Sequence, residues 1–257
     1  MLSPAALVAA LALTACSTAP VDPTKDWSPN KIQSEARDER DAGNFDKAVE
    51  LYEKLEGRAA GTPLAQQAQL EKAFSQYKAG EQAQALATIE RFLRLHPASP
   101  ALDYALYLKG LVTFNENLGL FGSMLQLDLA ERDQKAAKES FEAMREVVTR
   151  FPESRYAPDA RARMTHIVNS LAQYEVHVAR YYLGRGAYLA AVNRAQAALS
   201  DYPNAPAREE ALAILVRSYD ALGMTQLRDD AQRVLKTNFP QSTFSDEKKG
   251  GAWWKLW

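Results

Sequence analysis

Residues Arg185 to Pro203 read RGAYLAAVNRAQAALSDYP, and within them Tyr188, Ala191, Val192, Ala195, Ala198 and Leu199 recur at i, i+3, i+4, i+7, i+10 and i+11. That spacing places all six on one stripe of an α-helix. Gly186 turns the chain into the helix, and Pro203 follows its end. Counted from Gly186, small residues stand seven before it (Ala179) and five and twelve after it (Ala191, Ala198), so two antiparallel helices can approach closely. The same offsets return around Gly43 (Ala36, Ala48, Leu55), Gly80 (Ala73, Ala85, Phe92, then Pro97) and Gly223 (Val216, Leu235, Pro240). Gly43 and Gly80 are 37 residues apart, as are Gly186 and Gly223. A recurring period of this size with small residues at fixed offsets is the mark of helix-turn-helix units stacked into a solenoid.

Composition supports that reading. The 257 residues are 47% hydrophobic and 25% charged, enough for a substantial core. A net charge of −1 and a pI near 6.4 leave no electrostatic footprint for nucleic acid, which is excluded as a main partner. The only cysteine, Cys16, can form neither an intramolecular disulfide nor a metal knuckle.

Taken in order, a first repeat is expected over about 29–63 and a second over about 66–97. A third begins near Ala101, carries Gly110 at the small position, and is interrupted by an insertion, 115–131, before a second helix resumes near Gln134 with Ala137, Phe141, Met144 and Val148. Long insertions of this kind are commonly functional. The fourth repeat contains the opening stretch. The fifth, about 209–240, has Arg228 where a small residue is expected and should pack most loosely. Asn44-Phe45-Asp46-Lys47-Ala48 resembles the turn and second-helix start of a tetratricopeptide (TPR) repeat, so the expected fold is all-α, a right-handed solenoid of five TPR units.

No reaction chemistry is legible. His166 and His177 are eleven residues apart on one helical segment, hence about 16 Å apart at 1.5 Å per residue, too far to share a metal. No phosphate loop, nucleophile elbow or HExxH is present. A non-enzyme is expected, with no cofactor, no metal and no catalytic residue.

Likeness to TPR arrays implies a concave surface lined by the first helix of each repeat, at offsets thirteen, ten, six and three before the turn glycine. The second repeat puts Gln67, Leu70, Phe74 and Tyr77 there, and the third Tyr104, Tyr107, Leu111 and Phe114. The first supplies Asn30, Gln33, Arg37 and Arg40. An aromatic groove rimmed by arginines suits an extended peptide with aromatic side chains and a free carboxylate. The alternative is that these rings form inter-helix core or lie beneath the insertion. The C-terminal half offers a more polar set, Gln173, Val176, Arg180 and Leu183, then Glu210, Ala213, Arg217 and Asp220.

The two ends carry different signals. Residues 2–15 form an apolar run too short to cross a bilayer, which needs about 20 residues, and read as a signal-peptide core despite the lack of a preceding Lys or Arg. Leu13-Thr14-Ala15-Cys16 resembles the bacterial lipobox, which implies cleavage before Cys16, lipid on that cysteine and a mature chain of 242 residues. Ser17 resembles the residue that permits sorting to the outer membrane, and 16–28 reads as a tether rich in Ser, Thr, Pro and Asp. At the other end, 245–257 holds Trp253, Trp254 and Trp257, three of the four tryptophans in the chain. Such a tail is expected to dock on a partner, on a membrane interface, or back onto the last repeat.

Lipobox, five repeats and the insertion combine with Phe151-Pro152-Glu153-Ser154-Arg155-Tyr156, Asp159-Ala160, Tyr174-Glu175, Val178-Ala179-Arg180-Tyr181-Tyr182 and Val192-Asn193-Arg194. Together they resemble the BamD family, the lipoprotein of the outer-membrane β-barrel assembly machinery. The likeness spans nearly all of 16–245. It implies a lipid-anchored subunit on the periplasmic face of the outer membrane that works without catalysis. Its N-terminal half, 29–133, would receive the C-terminal signal of unfolded outer-membrane proteins. Its C-terminal half, 134–244, would bind the periplasmic domains of BamA, alongside other Bam lipoproteins. Arg194 matches the family's partner-pairing arginine, and Arg180 and Arg217 lie on the same half. The alternative expectation is a TPR lipoprotein that scaffolds cell-wall hydrolases or the Tol system.

Overall fold

The computed structural model describes residues 22–114 and 128–245, all helix, turn or irregular chain, with no strand among them. Ten α-helices and one short 3-10 turn follow one another: α1 (Pro29–Asp41), α2 (Phe45–Arg58), α3 (Pro63–Lys78), α4 (Gln82–Leu95), α5 (Leu102–Thr113), α6 (Asp128–Arg150), α7 (Ala157–Gly184), α8 (Tyr188–Asp201), α9 (Arg208–Ala221), α10 (Thr225–Asn238) and the 3-10 turn Thr243–Ser245. The expected signal segment, Cys16, the insertion as far as 127 and the three tail tryptophans lie outside the described residues.

Each expected hairpin forms where the glycines place it. Gly43, Gly80, Gly186 and Gly223 have φ of +82°, +85°, +73° and +70°, a left-handed conformation that favours glycine at a helix C-terminus. The backbone closes identically each time. The N–H after the glycine donates to the carbonyl five residues before the glycine's successor: Asn44 to Glu39, Glu81 to Gln76, Ala187 to Tyr182 and Met224 to Tyr219, at 2.8 to 2.9 Å. Helix starts are signalled too: Pro29 and Pro63 sit in first turns, and the Ser28 and Thr62 hydroxyls accept from the Lys31 and Ala65 amides.

The small residues at the fixed offsets are the core. Ala36, Ala48, Ala73, Ala85, Ala179, Ala191 and Ala198 are all buried, as are Leu55, Phe92 and Leu235 at the outer offset. The third repeat uses Gly110 to the same end, because a Cβ added there would stand 2.6 Å from Met144 Cε. Contact between α5 and α6 therefore depends on the missing side chain.

The chain divides into two compact units, Met1–Thr88 and Ile89–Trp257, with the division inside α4. Compactness thus divides the chain elsewhere than the functional boundary expected at 133/134. In the first unit Ile32, Ala36, Leu51, Tyr52 and Leu55 pack between α1 and α2, with Trp27 against them. In the second, a large cluster joins α7, α8 and α9 through Val176, Ala179, Ala191, Ala195, Ala211 and Ile214.

The tether reading does not apply to 22–28, which fold onto the first repeat. Arg58 donates to the carbonyls of Thr24 and Trp27 at 2.6 and 2.7 Å, and Lys54 bonds Asp22 at 2.6 Å. Bonds from Lys54 and from the Thr24 amide and hydroxyl lower the Asp22 pKa to about 2. Composition suggested a flexible segment; two cations on α2 supplied the anchors that composition does not show.

Candidate peptide-binding surfaces

In the first unit the expected groove residues meet different fates. Leu70 is buried and belongs to the core rather than to a binding surface, because its side chain is only 4% exposed. Phe74 and Tyr77 are half-buried, and Arg37 is exposed. Arg40 is not a vacant cation: its guanidinium bonds Glu71 on α3 and Asp41 beside it. Burial works against its charge, but those two carboxylates outweigh burial and raise its pKa. The polar seam of this unit gave no periodic signal. Lys72, nearly buried, bonds Glu56 at 2.8 Å, and the Thr88 hydroxyl donates to Gln76 at 2.9 Å. Both lie on helix faces that a hydropathy stripe would assign to water.

In the second unit the aromatic set gains a member that sequence reasoning did not place in the site. Tyr156, at the N-terminal edge of α7, lies between the two tyrosines of α5: its ring centroid is 4.8 Å from that of Tyr107, stacked, and 5.3 Å from that of Tyr104. The Phe151–Tyr156 link is pinned for this contact. Ser154 donates to Asp103 on α5 at 2.6 Å and accepts the Tyr156 amide at 3.2 Å. Arg155 lies with its guanidinium carbon 4.8 Å from the Tyr156 ring centre and donates to the Tyr156 hydroxyl at 2.6 Å. The Tyr107 hydroxyl donates to Asp159 at 2.6 Å, and Arg163 bonds the same carboxylate. Burial first, then that acceptor, raises the Tyr107 pKa. Burial opposes the Asp159 charge, yet the Tyr107 and Arg163 bonds hold its carboxyl below the usual range.

All three tyrosines keep part of their surface open. They form a preassembled aromatic platform with a guanidinium on its rim, so a ligand ring can stack without first ordering its partners. Phe114 is placed differently, packing among Ala137, Phe141, Ile167 and Leu171, edge-on to His166. It is largely inter-helix core, the alternative outcome weighed for these rings.

The three arginines expected to face a partner also separate. Arg180 on α7 is paired with Glu210 in the first turn of α9, both mostly buried, which makes it a brace between repeats four and five rather than an available cation. Arg194 on α8 is 46% exposed and makes one long contact, 3.2 Å, to the nearly buried Glu175 on α7. Arg217 is half-buried on α9. Among the described residues no group of three or more His, Cys, Asp or Glu is arranged to hold a metal ion, and no helix there is long and apolar enough to cross a membrane.

Helical hairpins closed by left-handed glycine turns define an all-helical repeat protein of TPR type. Residues 25–235 match the family model YfiO, described as an outer membrane lipoprotein, and the chain belongs to that family. It is 48% identical to a Neisseria meningitidis protein, over 96% of each chain, whose name is outer membrane protein assembly factor BamD. Proteins of the same name from Xylella fastidiosa, 37% identical over 80% of this chain and 71% of its relative, and from Vibrio cholerae, 33% identical over 90% and 96%, are also similar.

Proposed function

We propose that this chain is a non-enzymatic subunit of the outer-membrane β-barrel assembly machinery, lipid-anchored through Cys16 on the periplasmic face. The N-terminal repeats, 29–133, joined by the Phe151–Tyr156 link that packs against Tyr104 and Tyr107, receive the C-terminal signal of unfolded outer-membrane proteins. The C-terminal repeats, 134–244, hold the periplasmic domains of BamA, with other Bam lipoproteins nearby. The names of the relatives support the assembly role. The observation that carries the substrate reading is the half-open stack of Tyr104, Tyr156 and Tyr107 with Arg155 at its edge. It suits a terminal aromatic side chain beside a free carboxylate: the ring stacks, and the carboxylate takes a charge-assisted bond worth about 1.5–3 kcal/mol. Phe74, Tyr77 and Arg37 offer the same chemistry in the first unit.

On the BamA side, Arg194 is the residue to follow. Half-exposed and paired among the described residues with Glu175 at 3.2 Å, its guanidinium can still donate to a partner's carboxylate, whereas Arg180 is held by Glu210.

The test is binding of a peptide that ends in an aromatic residue with a free carboxylate, against its C-terminally amidated twin. Amidation should weaken binding about tenfold, equivalent to about 1.4 kcal/mol. Tyr156→Ala should weaken the acid peptide, and Arg155→Gln should erase the difference between acid and amide. Equal binding of both peptides to the unaltered protein would remove the carboxylate from the proposal. Arg194→Glu should weaken capture of the BamA periplasmic domains; recovery of cell-wall hydrolases or Tol components instead of BamA would favour the scaffold alternative.

A further inference from the structure

The second helix of the last hairpin differs from its counterparts in the other three hairpins that turn on a left-handed glycine. Four and eleven residues after the turn glycine, the first repeat has Lys47 and Lys54, the second Gln84 and Arg91, and the fourth Ala190 and Ala197. The fifth has Leu227 and Val234. One residue after the glycine, Asn44, Glu81 and Ala187 are likewise answered by Met224. Met224 at the N-terminal cap of α10 and Leu227 and Val234 within it stand at i, i+3 and i+10, along one stripe about 15 Å long at 1.5 Å per residue. They are 42%, 47% and 41% exposed. Three large apolar side chains therefore face outward along the last α-helix among the described residues and its N-terminal cap. Terminal units of repeat proteins ordinarily carry a polar outer face.

We infer that this stripe is covered by the chain's own C-terminal segment, 246–257, through Trp253, Trp254 and Trp257. Three observations select this occupant. First, the chain stays against this hairpin after α10 ends: Phe239 and Phe244 pack on Leu212, Ala213 and Leu235 of α9 and α10. Second, the 3-10 turn Thr243–Ser245 lies against both of those helices. Third, twelve residues follow Ser245. At about 3.3 Å per extended residue they reach about 40 Å, more than twice the length of the stripe. The seven residues before Trp253 alone span about 23 Å, enough to bring the indoles alongside. Tryptophan in the tail and large apolar residues along α10 thus answer one another, and of the four repeats with a turn glycine only the one that adjoins the tail has large apolar residues at these offsets.

Cross-linking of the full chain in dilute solution tests the contact. Lys255→Cys is combined in turn with Val234→Cys, Leu227→Cys and Asp229→Cys, the last on the other side of α10; Cys16 alone sets the background. A short thiol-reactive cross-linker should join residue 255 to 234 or 227 within one chain, and join 229 far less. Links formed only between two chains, only after adding phospholipid vesicles, or equally to 229 would each overturn the proposal, the first two in favour of a second copy and a membrane surface. A second readout leaves the tail intact. In a Trp27→Phe background all tryptophan fluorescence comes from the tail, and Leu227→Lys with Val234→Lys should shift that emission to the red and increase quenching by acrylamide at unchanged helicity. Emission already that of free indole before the lysines are introduced would also overturn it.

Discussion

Gly110→Ala isolates the close approach of α5 and α6. In an ordinary helix interior this substitution stabilises by about 1 kcal/mol, because glycine loses more backbone entropy on folding. Here the new Cβ would meet Met144 Cε at 2.6 Å and both Cγ and Sδ at 3.0 Å. Carbon pairs settle at about 3.5–4.0 Å, so the shortfall is about 1 Å. Met144 cannot simply swing away, since it is 1% exposed and wedged among Leu106, Val147 and Ala160. The helix cannot slide freely either, because Ser140 donates to the Gly110 carbonyl at 2.8 Å. Overpacking of this kind costs about 1–3 kcal/mol. Set against the propensity gain, Gly110→Ala should destabilise by about 1 kcal/mol. The decisive assay is a double-mutant cycle by equilibrium urea unfolding, followed by circular dichroism. Met144→Ala alone should cost about 2–5 kcal/mol. In that background the clash is gone and Gly110→Ala should become stabilising by about 1 kcal/mol, a coupling near 2 kcal/mol. An equal effect of Gly110→Ala in both backgrounds would refute the claim that Met144 dictates the glycine.

Other expectations rest on separate features. The Tyr52 hydroxyl is buried without a hydrogen-bond partner, and burial raises its pKa to about 12; Tyr52→Phe should therefore leave stability unchanged or raise it by about 1 kcal/mol, read as a shift in the urea midpoint. Arg180→Ala strands the nearly buried Glu210 and should cost about 2–3 kcal/mol, whereas Arg194→Ala should cost less than about 1 kcal/mol, compared by thermal unfolding. The folded pKa of Asp22, about 2, lies below the ordinary carboxylate value near 3.9, so its bonds stabilise the folded turn above about pH 4 and are lost as pH falls toward 2. The Thr24 amide resonance should accordingly titrate with a midpoint near 2; a midpoint near 4 would show that the turn does not hold Asp22.

The four turn glycines, the small residues seven before and five after them, and the length of each hairpin were all readable in the chain, because a helix and its turn are local. Residues a few positions apart set both the periodicity and the sterics that enforce it. The lipobox and the family likeness are also local strings. Contacts between helices were not readable in that way. Leu70 and Tyr77 share a stripe in sequence, yet one is sealed and the other half-open, and Phe114 faces the core while Tyr107 keeps an open edge. Arg40 and Arg180 looked like available cations until Glu71 and Glu210, 31 and 30 residues further along, were found opposite them. The platform depends on a still longer separation, with Asp159 arriving 52 residues after Tyr107. Periodicity determines which face of a helix points inward, but the rotation and offset of two packed helices determine which side chains meet across the seam. Those are set by the volumes of many residues at once, so only the tertiary structure decided that Tyr156 completes the aromatic stack and that Arg194, rather than Arg180, keeps a charge to offer.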